Sequence, residues 1–447
     1  MGRQDPNARR QRPWQRDSSS VQAWSGPPAI RILRVMPEFT WLRLIALVAF
    51  AGTYLGLALG RLPGLRVDRT GVAIIGATVM VVTGVLPWDK AVAAVDAHTL
   101  VLLFGMMIVA AYLRLSGFFH LVTHWAVRRA RGPVGLLAMV ALAAGVLSAL
   151  FVNDVICLVL APVVMAVTRQ LRLPPVPYLL ALATAANVGS VATLTGNPQN
   201  MLIGSFSGIS YRAFLAREAP VALVGLACVI VVLWLVYRRH LPAELPSVNL
   251  AANFPIHAAL MTKTIVAVCV MLVAFFAGVP IALVAVGGAA VCLLTRRVKP
   301  EKVYREIDWH LLVLFTGLFV VIGGVEQARL TDYLFGLAGR LALYRPAVLT
   351  VATALLSNVV SNVPAVLLFK TIVPSFGEPA RAWLLLAMAS TLAGNLTILG
   401  SVANLIVVEA AREERVPIGF WEYARVGVPI TLLTLAFGWA ILVLLPV

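Results

Sequence analysis

Long apolar runs separated by short polar islands set the pattern of this chain. Runs at about 42–59, 71–87, 98–116, 176–204, 220–236, 261–278, 280–295, 309–327, 382–408 and 426–445 are each close to the roughly 20 residues an α-helix needs to cross a bilayer. They predict an all-α, polytopic membrane protein. Two further regions hold paired, shorter runs. In residues 133–168, two runs of about 15 residues meet at Asn153-Asp154, and in 346–373 still shorter runs meet at Ser361-Asn362-Val363-Pro364. Runs that short predict re-entrant hairpins that enter and leave on one side.

The polar islands inside these runs need a reason. A carboxylate at the centre of a membrane helix costs roughly 2.5–3.5 kcal/mol, so Phe151-Val152-Asn153-Asp154 is an expensive sequence. Thr195-Gly196-Asn197-Pro198-Gln199-Asn200 puts backbone breakers and amides where a span wants Leu and Val. Free backbone groups at membrane depth survive only where they are buried in protein or line a wet cavity. The stretch Ser148–Asn200 therefore predicts a polar pocket within the membrane.

The pattern occurs twice. Asp96-Ala-His98-Thr-Leu-Val-Leu-Leu-Phe-Gly105 lines up with Asp308-Trp-His310-Leu-Leu-Val-Leu-Phe-Thr-Gly317 at an offset of 212, with six of ten positions identical. Leu147-Ser148 and Asn153 match Leu356-Ser357 and Asn362 at offset 209. Asn187 matches Asn395, and Gly196…Asn200 matches Gly400…Asn404 across a four-residue gap. Residues 41–237 and 261–447, joined by 238–260, thus each hold about five spans, one hairpin and one interrupted span (176–204 and 382–408). An odd number of passes turns the second copy upside down. Inverted repeats with helix breaks at matching places point to the binding site of a secondary transporter.

Composition agrees: 60% of residues are hydrophobic and 12% charged, against about 25% charged in soluble domains. The net charge of +17 would suggest nucleic acid in a soluble protein. Here the basic residues fall in short loops and in a disordered-type tail, residues 1–40, whose charge suits anionic lipid, so no nucleic-acid partner is expected. Clusters at Arg61–Arg69, Arg114–Arg131, Arg169–Arg172, Arg238–Arg239 and Arg296–Arg305 fall on one face by alternation. That face is expected to be cytoplasmic, and the plasma (inner) membrane is the expected location. The same alternation puts the Arg-rich tail outside; a true start at Met36 would remove that conflict. Cys157, Cys228, Cys269 and Cys292 all lie in apolar segments and read as small core residues. Enzyme and ATPase signatures are absent: there is no His-Glu-x-x-His, no Gly-x-Ser-x-Gly and no P-loop. No cofactor is implied beyond a coupling ion.

The residues that could hold a substrate or ion follow from the repeat. Asn153 and Asn362, at matched hairpin tips, offer a carbonyl to a cation and N–H donors to an anion, beside helix ends that favour either charge. Ser148, Ser357 and Ser361 could add oxygens, or serve as small residues at helix contacts. Gly196, Asn197 and Asn200, with Thr195 just before them, match Gly400, Ser401 and Asn404 as paired helix breaks in which Gly196…Asn200 aligns with Gly400…Asn404, and Asn187 and Asn395 could face the same cavity. If Na⁺ is the coupling ion, the oxygens at Asn153 with Gly196, and at Asn362 with Gly400, are its place. Asp154 faces Val363 in the repeat and has no acidic counterpart. It carries a coupling proton, balances a cation, or pairs with an Arg. Asp96 and Asp308 read as helix N-caps.

These motifs carry a resemblance. Phe151-Val-Asn153-Asp154-Val-Ile-Cys-Leu-Val-Leu-Ala-Pro162 and Thr195-Gly196-Asn197-Pro198-Gln199-Asn200 are similar to the arsenite-permease form of the ion transporter superfamily. That superfamily includes arsenite permeases, citrate transporters, divalent anion:sodium symporters and some sodium/proton antiporters. The resemblance implies an elevator-type homodimer, each subunit with a scaffold and a transport domain. The divalent anion symporters carry Ser-Asn-Thr at both tips; here the tips read Val152-Asn153-Asp154 and Ser361-Asn362-Val363. The expected function is ion-gradient-driven secondary transport of a small anion or arsenite-like oxyacid. A sodium/proton antiporter and a dicarboxylate or citrate:cation symporter are the alternatives within the superfamily, and a passive channel is the competing class.

Overall fold

The computed structural model describes residues 41–59, 66–242, 244 and 256–444. The basic tail, Met36 and most of the connecting loop lie outside the described residues. Those described form helices and no strand. The first half runs α1 (Trp41–Leu59), α2 (Arg69–Val82), α3 (Trp88–Ala94), α4 (Ala97–Ser116), α5 (Phe118–Arg129), α6 (Gly132–Leu150), α7 (Asn153–Gln170), α8 (Pro175–Ser190), α9 (Pro198–Ser207) and α10 (Tyr211–Tyr237). The second half repeats this order as α11 (Ala258–Phe276), α12 (Ile281–Leu293), α13 (Pro300–Tyr304), α14 (Trp309–Gln327), α15 (Thr331–Arg340), α16 (Pro346–Val360), α17 (Asn362–Lys370), α18 (Pro379–Leu392), α19 (Val402–Glu413) and α20 (Phe420–Leu444).

The helix ends are written in the sequence. Asp96 and Asp308 cap α4 and α14, accepting the His98 and Leu311 N–H groups at 3.0 Å each, as expected of them. Proline in the first turn starts α6, α8, α16 and α18, where its missing N–H is not needed. Gly117, at φ +84°, ends α4 in the left-handed conformation that favours glycine.

Six of the ten expected spans are helices long and apolar enough to cross a membrane: α1, α4, α10, α11, α14 and α20. The other four depart from simple spans. The runs 71–87 and 280–295 shorten to α2 and α12, of 14 and 13 residues. The runs 176–204 and 382–408 are divided into α8 with α9 and α18 with α19. The hairpins differ from each other. α16 and α17 are short, at 15 and 9 residues. The limbs of the first hairpin are longer than the sequence suggested: α6 and α7 reach 19 and 18 residues and are long enough to span. Gly132 joins α6 and Arg169-Gln170 extends α7, beyond the 133–168 drawn from the sequence, so ends that look like loop are helical.

The halves interlock reciprocally. α2 packs on α14 and α12 on α4; α7 packs on α19 and α9 on α17; α10 packs on α20. A Cβ on Gly105 would meet the Ala285 backbone at 2.7 Å, and one on Gly317 would meet the Ala73 backbone at 2.9 Å. Both pairs, Gly105 with Gly317 and Ala73 with Ala285, are related by the offset of 212 seen in the sequence. α8 and α18 form the centre. From Pro177 to Ser190 every residue of α8 is buried, and so is every residue of α18 from Ala382 on, as suits helices that are enclosed on all sides. The outer faces of α1, α11 and α20 expose Val48, Leu55, Val266, Val270, Val273, Leu432 and Phe437. Such an apolar exterior is solvated by lipid, so the chain is a multi-pass integral membrane protein.

Candidate functional site

The two helix breaks are built alike. Between α8 and α9, the Asn200 side-chain N–H groups donate to the carbonyls of Ser190 (3.1 Å) and Thr193 (2.9 Å). Between α18 and α19, Asn404 donates to Gly394 (2.7 Å) and Thr397 (3.1 Å). These six residues pair at a single offset of 204. The amides thus replace the helical hydrogen bonds that each break gives up, which backbone at membrane depth requires. A Cβ on Gly196 would lie 2.2 Å from the Ser190 carbonyl oxygen, so the turn needs glycine there. Asn197 and Ser401 cap the second segments, accepting the N–H groups of Asn200 and Ala403.

At offset 204 the counterpart of Asn187 is Thr391, where the sequence comparison paired it with Asn395. The hydrogen bonds confirm the new pairing. Ser401 donates to Asn187 Oδ1 at 2.9 Å, and Asn197 donates to Thr391 Oγ1 at 3.2 Å, the same bond in each copy. Asn395 sits one turn further on. Asn187 donates to Asn395 Oδ1 (2.8 Å) and Asn404 Oδ1 (3.1 Å), joining the two halves at the core.

The hairpin tips meet these breaks. The backbone N–H of Asn153 donates to the Gly196 carbonyl (3.0 Å), and its side chain donates to Asn187 Oδ1 (2.9 Å). α7 and α17, which begin at the tips, have no side-chain cap, so their first turns present N–H donors. At the second tip Ser361 has φ +80° and ψ 160°, a region that is nearly glycine-only and costs about 1–3 kcal/mol.

Both tips line one cavity of about 180 Å³. Asn153, Asp154, Ser361 and Asn362 reach it from the hairpins, Gln199 and Ser401 from the breaks, and Arg69, Asp308 and His310 from α2 and the start of α14. The carbonyl oxygens of Asn153 and Asn362 are buried, and no group among the described residues bonds to either. The site therefore offers two matched acceptors, two uncapped helix N-termini and one guanidinium around a small space. Deprotonated oxygens suit the donors, and hydroxyl groups suit the acceptors.

Of the residues singled out in the sequence, Asn153, Asp154, Ser361, Asn362 and Ser401 come together here. Asn187, Asn395 and Asn404 stand behind them in the hydrogen-bonded core. Asn197, Asn200 and Gly400 shape the breaks, and Gly196 ties its break to the first tip. Thr195 faces Tyr211, 3.4 Å away. The hydroxyls of Ser148 and Ser357 are buried and take no hydrogen bond from the described residues. No cluster of metal-ligating His, Cys, Asp or Glu occurs among the described residues. Sequence reasoning passed over Gln199 and Arg69. The first lay in a motif read for its breakers, and the second was counted as a topology signal.

The citrate transporter family profile matches residues 45–393. The chain is 31% identical to the silicon efflux transporter LSI3 of Oryza sativa subsp. japonica, over 88% of this chain and 96% of that one. It is 24% identical to the putative transporter arsB of Dictyostelium discoideum, over 92% and 93% of the two chains. Its fold resembles the crystal structure of the Alcanivorax borkumensis YdaH transporter. That match has a TM-score of 0.55 at 18% identity, and covers 90% of this chain and 96% of that one.

Proposed function

The chain belongs to the citrate transporter family, and from that membership we propose that it is a secondary active transporter of a small oxyacid or anion, driven by an ion gradient through alternating access. One observation carries the substrate class. The unpaired carbonyl oxygens of Asn153 and Asn362 face one cavity together with two uncapped helix N-termini. An acid that keeps some hydroxyl groups satisfies both: its hydroxyls donate to the amide oxygens, and another of its oxygens, charged or neutral, accepts from the helix ends. A silicon efflux transporter and an arsB-named transporter among the relatives agree with such an acid. The strained Ser361 backbone supports a working tip, because strain of that size persists where function needs it.

Asp154 supplies the coupling group in this reading. It lines the cavity beside Asn153 and Asn362, where a proton bound on one face of the membrane can be released on the other. The same placement is what a sodium/proton antiporter would need, and that remains the second reading. The test is a flux panel in proteoliposomes. Arsenite, silicic acid, citrate, sulfate and Na⁺ are offered under imposed proton and Na⁺ gradients. Wild type is expected to concentrate an oxyacid against its gradient when the proton gradient is imposed. Asp154→Asn is expected to keep exchange of internal for external substrate and to lose uphill, pH-dependent uptake. Uphill uptake by the mutant with the wild-type pH profile would remove Asp154 from coupling. Na⁺-for-proton exchange with no oxyacid flux would establish the antiporter.

A further inference from the structure

Among the described residues, Glu218 on α10 is the only acid that is fully buried, at 0% exposure, and neither of its carboxyl oxygens takes a hydrogen bond from them. A carboxylate buried without a partner is among the costliest groups in a membrane protein, and a neutral acid costs far less. The repeat shows where it stands. Pro220 and Pro429 set α10 against α20 at an offset of 209. A Cβ on Gly225 would meet Thr434, its own counterpart at that offset, at 3.4 Å. Glu218 then matches Gly427. A Cβ on Gly427 would lie 2.4 Å from the Asn395 carbonyl oxygen, at the second helix break. At the offset of 204 the counterpart of Asn395 is Val191, where α8 ends and the first break begins. So α10 sets a carboxyl against the first break where α20 sets bare backbone against the second.

A chain of hydroxyls reaches the same break from a second cavity. That cavity, of about 320 Å³, is lined by His98, Ser205, Ser210 and Tyr211 together with apolar side chains, and is polar and roomy enough for water. The Tyr211 hydroxyl lies 3.4 Å from Thr195 Oγ1, and Thr195 Oγ1 lies 3.3 Å from Thr193 Oγ1. Thr193 in turn donates to the Ala149 carbonyl. Tyr211 precedes Glu218 by seven residues, so about two turns of α10 set both on one face, about 10 Å apart along the helix. The cavity also takes in Ile281, which opens α12, and the loop Arg296–Arg305 follows the other end of that helix.

We propose that Glu218 is a second proton-binding site of the transporter, loaded from the outer side of the membrane past Tyr211. This rests on the reading of proton-driven transport, and it gives the proton its own entry while Asp154 faces the substrate. Loops as basic as Arg296–Arg305 belong to the cytoplasmic side, which puts the cavity at the start of α12 on the outer one. A proton from water in the cavity passes to the Tyr211 oxygen as the phenol hands its own proton to Thr195. Thr193 follows, and the Glu218 carboxylate ends as the neutral acid. Release reverses each transfer. Hydroxyls suit this because each both donates and accepts. Few charges compete for Glu218. Of the helices packed on α10, α6 has no acid or base, and α8 has only Tyr178, bonded to the Pro133 carbonyl. On α18 Arg381 pairs with Glu378. On α11 Lys263 bonds to the Leu294 carbonyl, and Cys269 is exposed. Glu422, Tyr423 and Arg425 lie in the first turns of α20, whereas its last turns meet this part of α10, with a Cβ on Gly438 3.0 Å from Val221. On α10 itself Arg212 is exposed and Arg217 partly so.

Infrared difference spectra of the full chain in membranes, recorded on transfer from water to heavy water, test the site without reference to flux. Wild type is expected to show a protonated-carboxyl band that Glu218→Gln removes and Glu218→Asp shifts. Asp154→Asn is run alongside to set apart any band from that residue. A spectrum unchanged in both Glu218 variants overturns the site. Tyr211→Phe keeps the ring that stacks on Phe275 at 5.0 Å and removes only the hydroxyl. It is expected to slow exchange of the Glu218 band by about a hundredfold, the usual weight of a positioned proton-transfer group. Exchange at the wild-type rate overturns the route. In sided proteoliposomes carrying arsenite or citrate, Glu218→Gln is expected to lower the response of uphill flux to outer pH by about tenfold or more. Proton-driven flux with a wild-type response in that mutant refutes this proposal alone. Uphill flux driven by Na⁺ alone, with the Glu218 band present and exchanging past Tyr211, refutes proton drive and upholds the proton site.

Discussion

Alanine at Asn362 is expected to lower transport by about tenfold or more while leaving the protein folded in the membrane. Its side-chain oxygen faces the cavity and takes no hydrogen bond from the described residues. Removing it therefore removes an acceptor for the substrate and little else. Deleting it leaves a desolvated substrate hydroxyl without its acceptor, which costs about 1–3 kcal/mol and sets the factor. Alanine at Asn153 should cost more. That change also deletes the 2.9 Å bond to Asn187, on which the core network from Asn395 to Ser401 converges. The two mutants thus separate binding from architecture. Initial rates in proteoliposomes, with size-exclusion profiles of the same preparations, give both readings. Wild-type rates in Asn362→Ala would remove the second tip from the site.

Alanine at Gly189 is expected to abolish folded protein. A Cβ there would sit 2.1 Å from the Gly145 carbonyl oxygen and 2.4 Å from the Gly145 Cα. Both contacts are backbone, so no side chain can rotate away, and α6 must separate from α8. Overpacking in cores costs about 1–3 kcal/mol when neighbours can adjust. Here the neighbour is the first hairpin, and close approach through small residues is what holds membrane helices together. Gly287→Ala is the control, because a Cβ at that position meets nothing within 4 Å. The yield of monodisperse protein should collapse for Gly189→Ala and stay at wild type for Gly287→Ala. Comparable yields for both would show that the α6–α8 contact is not tight.

The sequence exposed the site wherever polarity broke an apolar run. Asn153-Asp154 and Ser361-Asn362 could be read because amides are conspicuous among Leu and Val, and the breaks because glycine and proline are. What remained hidden depends on packing. The helices of the first hairpin run past the stretches drawn from the sequence, since Gly132 and Arg169-Gln170 look like loop and are helix. For the same reason the span drawn at 220–236 excluded Glu218. In the structure that carboxylate is fully buried on α10 with no hydrogen bond from the described residues. Asn187 was paired with Asn395 because the residue types agree. Geometry pairs it with Thr391, since the repeat preserves a hydrogen bond and not an amide. Arg69 could not be assigned from one sequence because a helix-start arginine carries the topology signal of a membrane protein anyway.

Transport by a site open to one side at a time is tested most directly by counterflow. Proteoliposomes are loaded with an unlabelled oxyacid, arsenite first and then silicic acid and citrate, and diluted into a trace of the labelled compound with no ion gradient. The proposed mechanism predicts a transient accumulation of label above the outside concentration, saturable by substrate and lost in Asn362→Ala. Label that only equilibrates, at a rate rising linearly with concentration, would show a passive pore and contradict it.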